Sequence, residues 1–182
     1  MLFDNLLQDK HLEGNSVNWK NWESELSWTT CKYCAEMHGT IYSFDIDTDN
    51  LIPAHENGRC KIVPMRTKMA GTATEMGLDG ADAYLAYVKH LPEYYVSKQE
   101  AEDAGWVTWK GNLDEILPGS MIGGDIFKNK EGKLPVAPGR IWYEADINYS
   151  GGFRNRQRML YSNDGLIFAT YDHYETFYEI IR

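Results

Sequence analysis

Residues 139–160 read GRIWYEADINYSGGFRNRQRML, and this stretch decides how the second half of the chain folds. Its first part alternates with the two-residue period of a β-strand, which places Trp142, Glu144 and Asp146 on one sheet face and Ile141, Tyr143, Ala145 and Ile147 on the other. The Gly151-Gly152 pair then marks a reversal, and Arg154, Arg156 and Arg158 bring positive charge back toward the same hairpin. Two carboxylates and up to three guanidinium groups are thus expected on one side of a strand pair. A salt-bridged scaffold accounts for such a set more readily than a catalytic site does, until His173 of TYDHYETF (170–177), in a loop between strand-like runs, adds an acid-base group to the same face.

Working outward, residues 121–127, 157–162, 165–170 and 176–181 are further strand-like runs bounded by Gly, Asn, Asp and Pro. Upstream the period changes. LDGADAYLAYVKH (78–90) places Leu78, Ala81, Leu85 and Val88 on one helical face, ending before Pro92. SKQEAEDAG (97–105) carries a Ser97/Glu100 capping box and a glycine stop. NLDEILPG (112–119) repeats that design with Asn112 as cap. Helices followed by strands predict an α+β domain, with N-terminal helices packed on a twisted antiparallel β-sheet.

The first third differs. It contains all three cysteines, Cys31, Cys34 and Cys60, and an odd number cannot close a disulfide framework within one chain. RTKMAGTATEMG (66–77) is small, polar and glycine-containing, so the boundary is placed there: a module over 1–76 and a domain over 77–182. Cys31-x2-Cys34 with His55 and Cys60 forms a four-ligand set of the kind that holds zinc; three small buried thiols beside a surface histidine fit the spacing equally well. His38, just before Gly39, is a competing donor expected to serve a turn instead.

The 182 residues carry a formal charge of −9, which argues against non-specific nucleic-acid binding by the whole surface. The charge is uneven: from Lys128 to Arg158 seven basic residues face three acidic ones. No segment suits a membrane span, and MLFDNLLQDK (1–10) lacks a basic n-region, so it does not read as a signal peptide; export, if it occurs, is expected by a non-classical route.

From Leu78 onward the chain resembles the barnase-like, guanyl-preferring ribonucleases of bacteria, through YVSKQEAEDAGWV (95–107), KGNLDEILPGSMIGGDIF (110–127), NKEGKLP (129–135), EADINYSGGFRN (144–155) and YDHYETF (171–177), in that order. The resemblance implies the α+β fold of microbial ribonucleases and a metal-independent endoribonuclease with RNA as substrate. In it Glu144 is the general base for the ribose 2′-hydroxyl and His173 the general acid for the departing 5′-oxygen, giving a 2′,3′-cyclic phosphate. Lys98, Arg154 and Arg158 match the phosphate-binding positions. Lys128, Asn129, Lys130 and Glu131 match the guanine-reading loop, with Tyr174 as a stacking partner. DNA, lacking the 2′-hydroxyl, is expected to bind uncut.

By the same resemblance Asp146 holds the arginines, Asp125 and the Arg140–Asp164 pair are structural, and the unmatched Arg156 is a solvated surface residue. Lys130 stands where the family has arginine, which loses planar bidentate geometry. Gly165 replaces an aromatic, and the domain holds eleven basic against sixteen acidic residues where the family is basic. A toxin role and a barstar-like inhibitor offering acidic groups to Lys98, Arg154 and Arg158 follow as expectations. TTCKYCAEMHGTIY (29–42) and PAHENGRCKI (53–62) resemble the C-terminal segment of phage head morphogenesis proteins, which favours a structural zinc and docking of the module to a larger phage-like or delivery assembly. The alternative is a phage-related structural or interaction protein with an inactive ribonuclease fold. A non-specific DNA nuclease would need a metal-binding carboxylate cluster, and the sequence offers none.

Overall fold

The computed structural model describes residues 13–52, 55, 56 and 58–182; the stretch 1–10 read for a signal peptide lies outside them. In chain order the elements are β1 (Glu13–Glu23), α1 (Lys32–Met37), β2 (Ile41–Ser43), β3 (Lys61–Met69), α2 (Ala81–Tyr87), β4 (Tyr95–Val96), α3 (Lys98–Asp103), α4 (Leu113–Ile116), β5 (Met121–Phe127), β6 (Trp142–Asp146), β7 (Arg158–Ser162), β8 (Ile167–Thr170) and β9 (Tyr178–Ile181). They form a mixed α/β structure with one nine-stranded sheet, ordered β2-β1-β3-β9-β8-β7-β6-β5-β4. Among the described residues no helix is long and apolar enough to cross a membrane.

The alternation expected along 141–147 decides how the sheet is covered. Ala145 and Ile147 pack with Met159 and Ala169 against Ala81, Leu85 and Ala86 of α2. Trp142 faces the other way, with Leu160 and Phe168, and stacks on the Phe168 ring at 5.5 Å. A third cluster joins Ala101 of α3, Leu113 of α4, Trp106 and Ile122.

Several local expectations change. The sheet is not wholly antiparallel: β4 runs parallel to β5, and β3 runs parallel to β9 with Arg66 opposite Tyr178. No local pattern encodes such a pairing, because its partners lie far apart in sequence. The helix expected over 78–90 contracts to Ala81–Tyr87, with Leu78 and Val88 exposed and Lys89 in the left-handed region at φ 75°. The capping box of α3 is present. Asn112, however, does not cap α4; its Oδ1 accepts the Val107 N–H at 2.8 Å and its Nδ2 donates to the Gly105 carbonyl, so it ties two turns together.

Residues 66–69 of the expected linker belong to β3, and the turn that follows is pinned. The buried Asp82 carboxylate accepts the N–H groups of Gly71 and Ala73 at 2.7 and 2.8 Å and the Thr74 hydroxyl at 2.9 Å. A buried carboxylate gains stability only when its lone pairs are filled in this way. β1 also escaped the period reading: Ser16 Oγ accepts the N–H groups of Asn18 and Trp19, and the pairing with β3 shifts register between Asn15 and Lys20. That irregularity puts the apolar positions on either side of it out of phase.

Candidate active site

β6, third from the β4 edge of the sheet, presents Glu144 opposite Leu160 of β7. Its carboxylate is held from two sides, by Lys98 Nζ at 2.5 Å to Oε1 and by the Tyr174 hydroxyl at 2.8 Å to Oε2. Burial alone would raise the Glu144 pKa, but these two hydrogen bonds and the charges of Lys98 and Arg154 outweigh it and hold the carboxyl below its ordinary value. It is therefore ionised and able to accept a proton near neutral pH. Tyr174 is pushed the opposite way, first by burial and then by the Glu144 charge, so its phenol stays a donor.

Two residues further along β6, Asp146 is 1 % exposed and receives the Arg154 guanidinium through two bonds of 2.6 Å. Burial disfavours the Arg154 charge, but the Asp146 carboxylate more than compensates and raises its pKa. Arg158 Nε lies 3.0 Å from Asp146 Oδ1 without the alignment of a hydrogen bond. Its orientation comes instead from Nη1, which donates to the carbonyls of Asn155 and Gln157, each at 2.7 Å. Arg156 is exposed.

The loop between β8 and β9 carries His173 and Tyr174, both left-handed at φ 66° and 71°. A non-glycine residue there is uncommon and needs surrounding structure to hold it. Asp172 does so: its Oδ1 accepts the N–H groups of Glu175 and Thr176 and the Thr170 hydroxyl, and its Oδ2 accepts the Thr176 hydroxyl at 2.6 Å. Thr170 Oγ1 accepts the Tyr174 N–H, and His173 N donates to the Arg156 carbonyl at 3.1 Å. The sequence reading missed Asp172. The signal was an Asp followed four residues later by a hydroxyl residue, in a segment read only for its histidine.

A pocket of about 430 Å³ collects Lys128, Asn129, Lys130, Glu131, Glu144, His173 and Tyr174 along its walls. Lys98 joins this group through its bond to Glu144; Arg154, whose charge acts on Glu144, and Arg158 are gathered by Asp146. The Asn129 amide closes the 129–134 loop on itself, accepting the Leu134 N–H at 3.0 Å and donating to the Leu134 carbonyl at 2.9 Å. Asp125 accepts the Lys98 N–H at 3.0 Å and so anchors the start of α3, while Arg140 grips Asp164 through Nε and Nη2.

A second cluster lies in the first third. Cys31 and Cys34 Sγ are 3.1 and 3.3 Å from His55 Nε2, and the three donor atoms lie within 4.8 Å of one another. Cys60 lines the same hollow and packs against Cys34, outside that tight group of three. His55 Nδ1 contacts the Glu56 carbonyl at 3.1 Å, and in a neutral imidazole that donates there Nε2, which faces the sulfurs, is the free lone pair. His38 is excluded as a donor because its Nδ1 accepts the Ser24 N–H at 3.0 Å. Two thiols and a correctly faced imidazole, with a third thiol alongside, suit zinc, which prefers four such ligands.

Residues 79–181 match the family model described as ribonuclease. The chain is 56 % identical over 102 residues to a ribonuclease of Heyndrickxia coagulans, covering 94 % of that protein and 56 % of this chain. The ribonucleases of Bacillus intermedius and Bacillus pumilus are also 56 % identical over 102 residues, but there the match spans 63 % of each relative's length.

Proposed function

Because residues 79–181 place the chain in the ribonuclease family, as a barnase-like bacterial ribonuclease, we propose that it is an endoribonuclease that cuts single-stranded RNA on the 3′ side of guanosine. The observation that carries this reading is the Glu144 carboxylate, clamped by Lys98 and Tyr174 on the wall of a pocket that also holds His173 and the 128–131 loop.

Glu144 takes the proton from the ribose 2′-hydroxyl, and that oxygen attacks the adjacent phosphorus. His173 protonates the 5′-oxygen as its bond to phosphorus breaks, leaving a 2′,3′-cyclic phosphate. Fixed positive charge at Lys98, Arg154 and Arg158 offsets the negative charge that builds on the phosphoryl oxygens. Glu131 accepts from the N1 and N2 donors of guanine, backbone N–H groups near Asn129 and Lys130 serve O6, and Tyr174 stacks. The nucleophile belongs to the substrate, so the chemistry requires no metal.

With no metal ion added, the protein is expected to cut RNA 3′ to guanosine, leave cyclic phosphate ends and spare DNA. Added magnesium or manganese should not accelerate it. A requirement for either ion, or equal cutting of DNA, overturns the mechanism. An active enzyme of this kind attacks the RNA of any cell that holds it. We therefore infer a toxin role and a protein inhibitor that presents carboxylates to Lys98, Arg154 and Arg158.

We also infer a structural zinc ion held by Cys31, Cys34, His55 and Cys60, with all four positions filled by protein and none left for water. The purified protein is expected to carry about one zinc per chain, the stoichiometry of one four-ligand site. Cys34→Ser should lower both zinc content and melting temperature; a variant that keeps both at the parent's values removes the site.

A further inference from the structure

The residues ahead of the ribonuclease domain touch the catalytic pocket through its two loops. The Ile41 N–H of β2 donates to the Lys133 carbonyl at 2.8 Å, at the exit of the 128–134 loop. The Ile41 side chain is buried with Leu134, Phe177 and Met65 in the cluster that also holds Trp142, Leu160 and Phe168. Trp19 of β1 meets the Phe168 ring edge-on at 6.0 Å. Gly39 lies so close to the histidine loop that a Cβ there would fall 2.2 Å from the Glu175 carbonyl oxygen. Glycine is required at that point by contact and by its φ of 80°.

The two loops are themselves joined, because Lys133 Nζ donates to the Tyr174 carbonyl at 2.9 Å. Tyr174 in turn holds Glu144. On the other side, the segment bearing Gly39 and Ile41 is tied to the cysteine cluster. Gly39 N donates to the Trp22 carbonyl and Trp22 N to the Thr40 carbonyl, both at 2.9 Å. Trp22 Nε1 donates to Ser24 Oγ, which donates to the Cys34 carbonyl. A continuous set of hydrogen bonds and buried contacts therefore runs from Cys34 through Trp22, Thr40 and Ile41 to Lys133 and Tyr174.

We propose that β1, α1, β2 and β3 with their described connections are a brace for the active site, in which Ile41 and Gly39 position the guanine-reading loop and the histidine loop. The proposal rests on the ribonuclease reading for its functional consequence but not for its structural one. The Heyndrickxia ribonuclease is matched over 94 % of its length by 102 residues of this chain, so the brace is an addition to a fold that is matched without it. Ile41 is a positioning residue. It touches no substrate, and its effect reaches the base through Lys133 and Leu134.

The test uses the whole chain with Ile41→Ala and the milder Ile41→Val. The parent and variants are compared on GpU and ApU dinucleotides, and amide hydrogen exchange is followed in the 129–134 and 172–176 segments. Ile41→Ala is expected to lower the G-over-A ratio in kcat/KM by about tenfold or more, since small misplacements of a reading group have effects of that size. Both loops should exchange faster, while α3 and α4 keep their protection. Ile41→Val should recover most of the ratio; if the alanine variant does not fold, loop exchange in Ile41→Val decides, faster exchange in both loops upholding the brace and unchanged exchange overturning it.

A base ratio that stays within about twofold of the parent in a folded Ile41→Ala variant overturns the brace, whatever its exchange shows, because an ordered reading group is what the ratio reports. Should the parent cut no RNA, or cut it without base preference, the functional reading fails by itself. Loop exchange then decides the brace: faster exchange in both loops upholds it, and unchanged exchange overturns it.

Discussion

Glu144→Ala is expected to slow cleavage of natural RNA by on the order of 100- to 10,000-fold, the usual worth of a general base, and His173→Ala by a similar factor. The two losses separate when the leaving group changes. On a guanosine 3′-aryl phosphate the phenolate departs without help, so the His173 variant should recover much of its relative rate. The Glu144 variant should not, because the 2′-hydroxyl still needs a base. Alanine at position 173 must adopt the left-handed backbone found there, φ 66°, so His173→Asn is the companion that suits this conformation. Equal recovery of both variants, or a loss below about tenfold on RNA, removes the assigned roles.

The second large effect is on stability. Asp146→Asn keeps the size of the side chain but takes the charge from between two guanidinium groups, those of Arg154 and Arg158. Asp146 is 1 % exposed and Arg158 is 5 % exposed, so water cannot replace the lost partner. Removing one member of such a buried group costs on the order of 3–5 kcal/mol, and denaturant unfolding of the variant should show a loss in that range. The same variant should cleave RNA poorly even where it remains folded, since Arg154 keeps at most one of the two hydrogen bonds that aim it and faces an amide N–H in place of the other. A loss below about 1 kcal/mol, typical of an exposed pair, would mean that Asp146 is not the anchor of the arginines.

Much of the second half was legible because its signals are local. Strand β5 occupies the run expected from its composition, Met121–Phe127, and the alternation expected from Trp142 to Ile147 puts Ala145 and Ile147 in one cluster and Trp142 in the other. Ser97 and Glu100 lie three residues apart and cap α3 as that spacing implies. Glu144, Tyr174 and the 128–131 residues meet in one pocket although they come from three separate segments, and here the family resemblance supplied what periodicity could not. The losses are of long range. Asp82 reaches back to Gly71, and Ile41 reaches forward to Lys133. Asp172 is different: its bonds are local, but they shape a loop that has no regular period. Hydrophobic periodicity carries no information about which distant carbonyl an N–H will find.

The parallel pairing of β3 with β9 also sets the order in which this protein can assemble. Strands β5 to β9 are neighbours in sequence as well as in the sheet, so each joins the next by closing a loop far shorter than the separation of β3 from β9. Arg66 meets Tyr178 only after the whole intervening chain has been brought together, and contacts of long sequence separation form late because their closure entropy must be met first. In pulse-labelled refolding, strands β5 to β9 are therefore expected to gain amide protection before the first third docks on β9, with Glu144 in place while the loops around it are still unsupported; protection of β3 at the same rate as β6 would contradict that order.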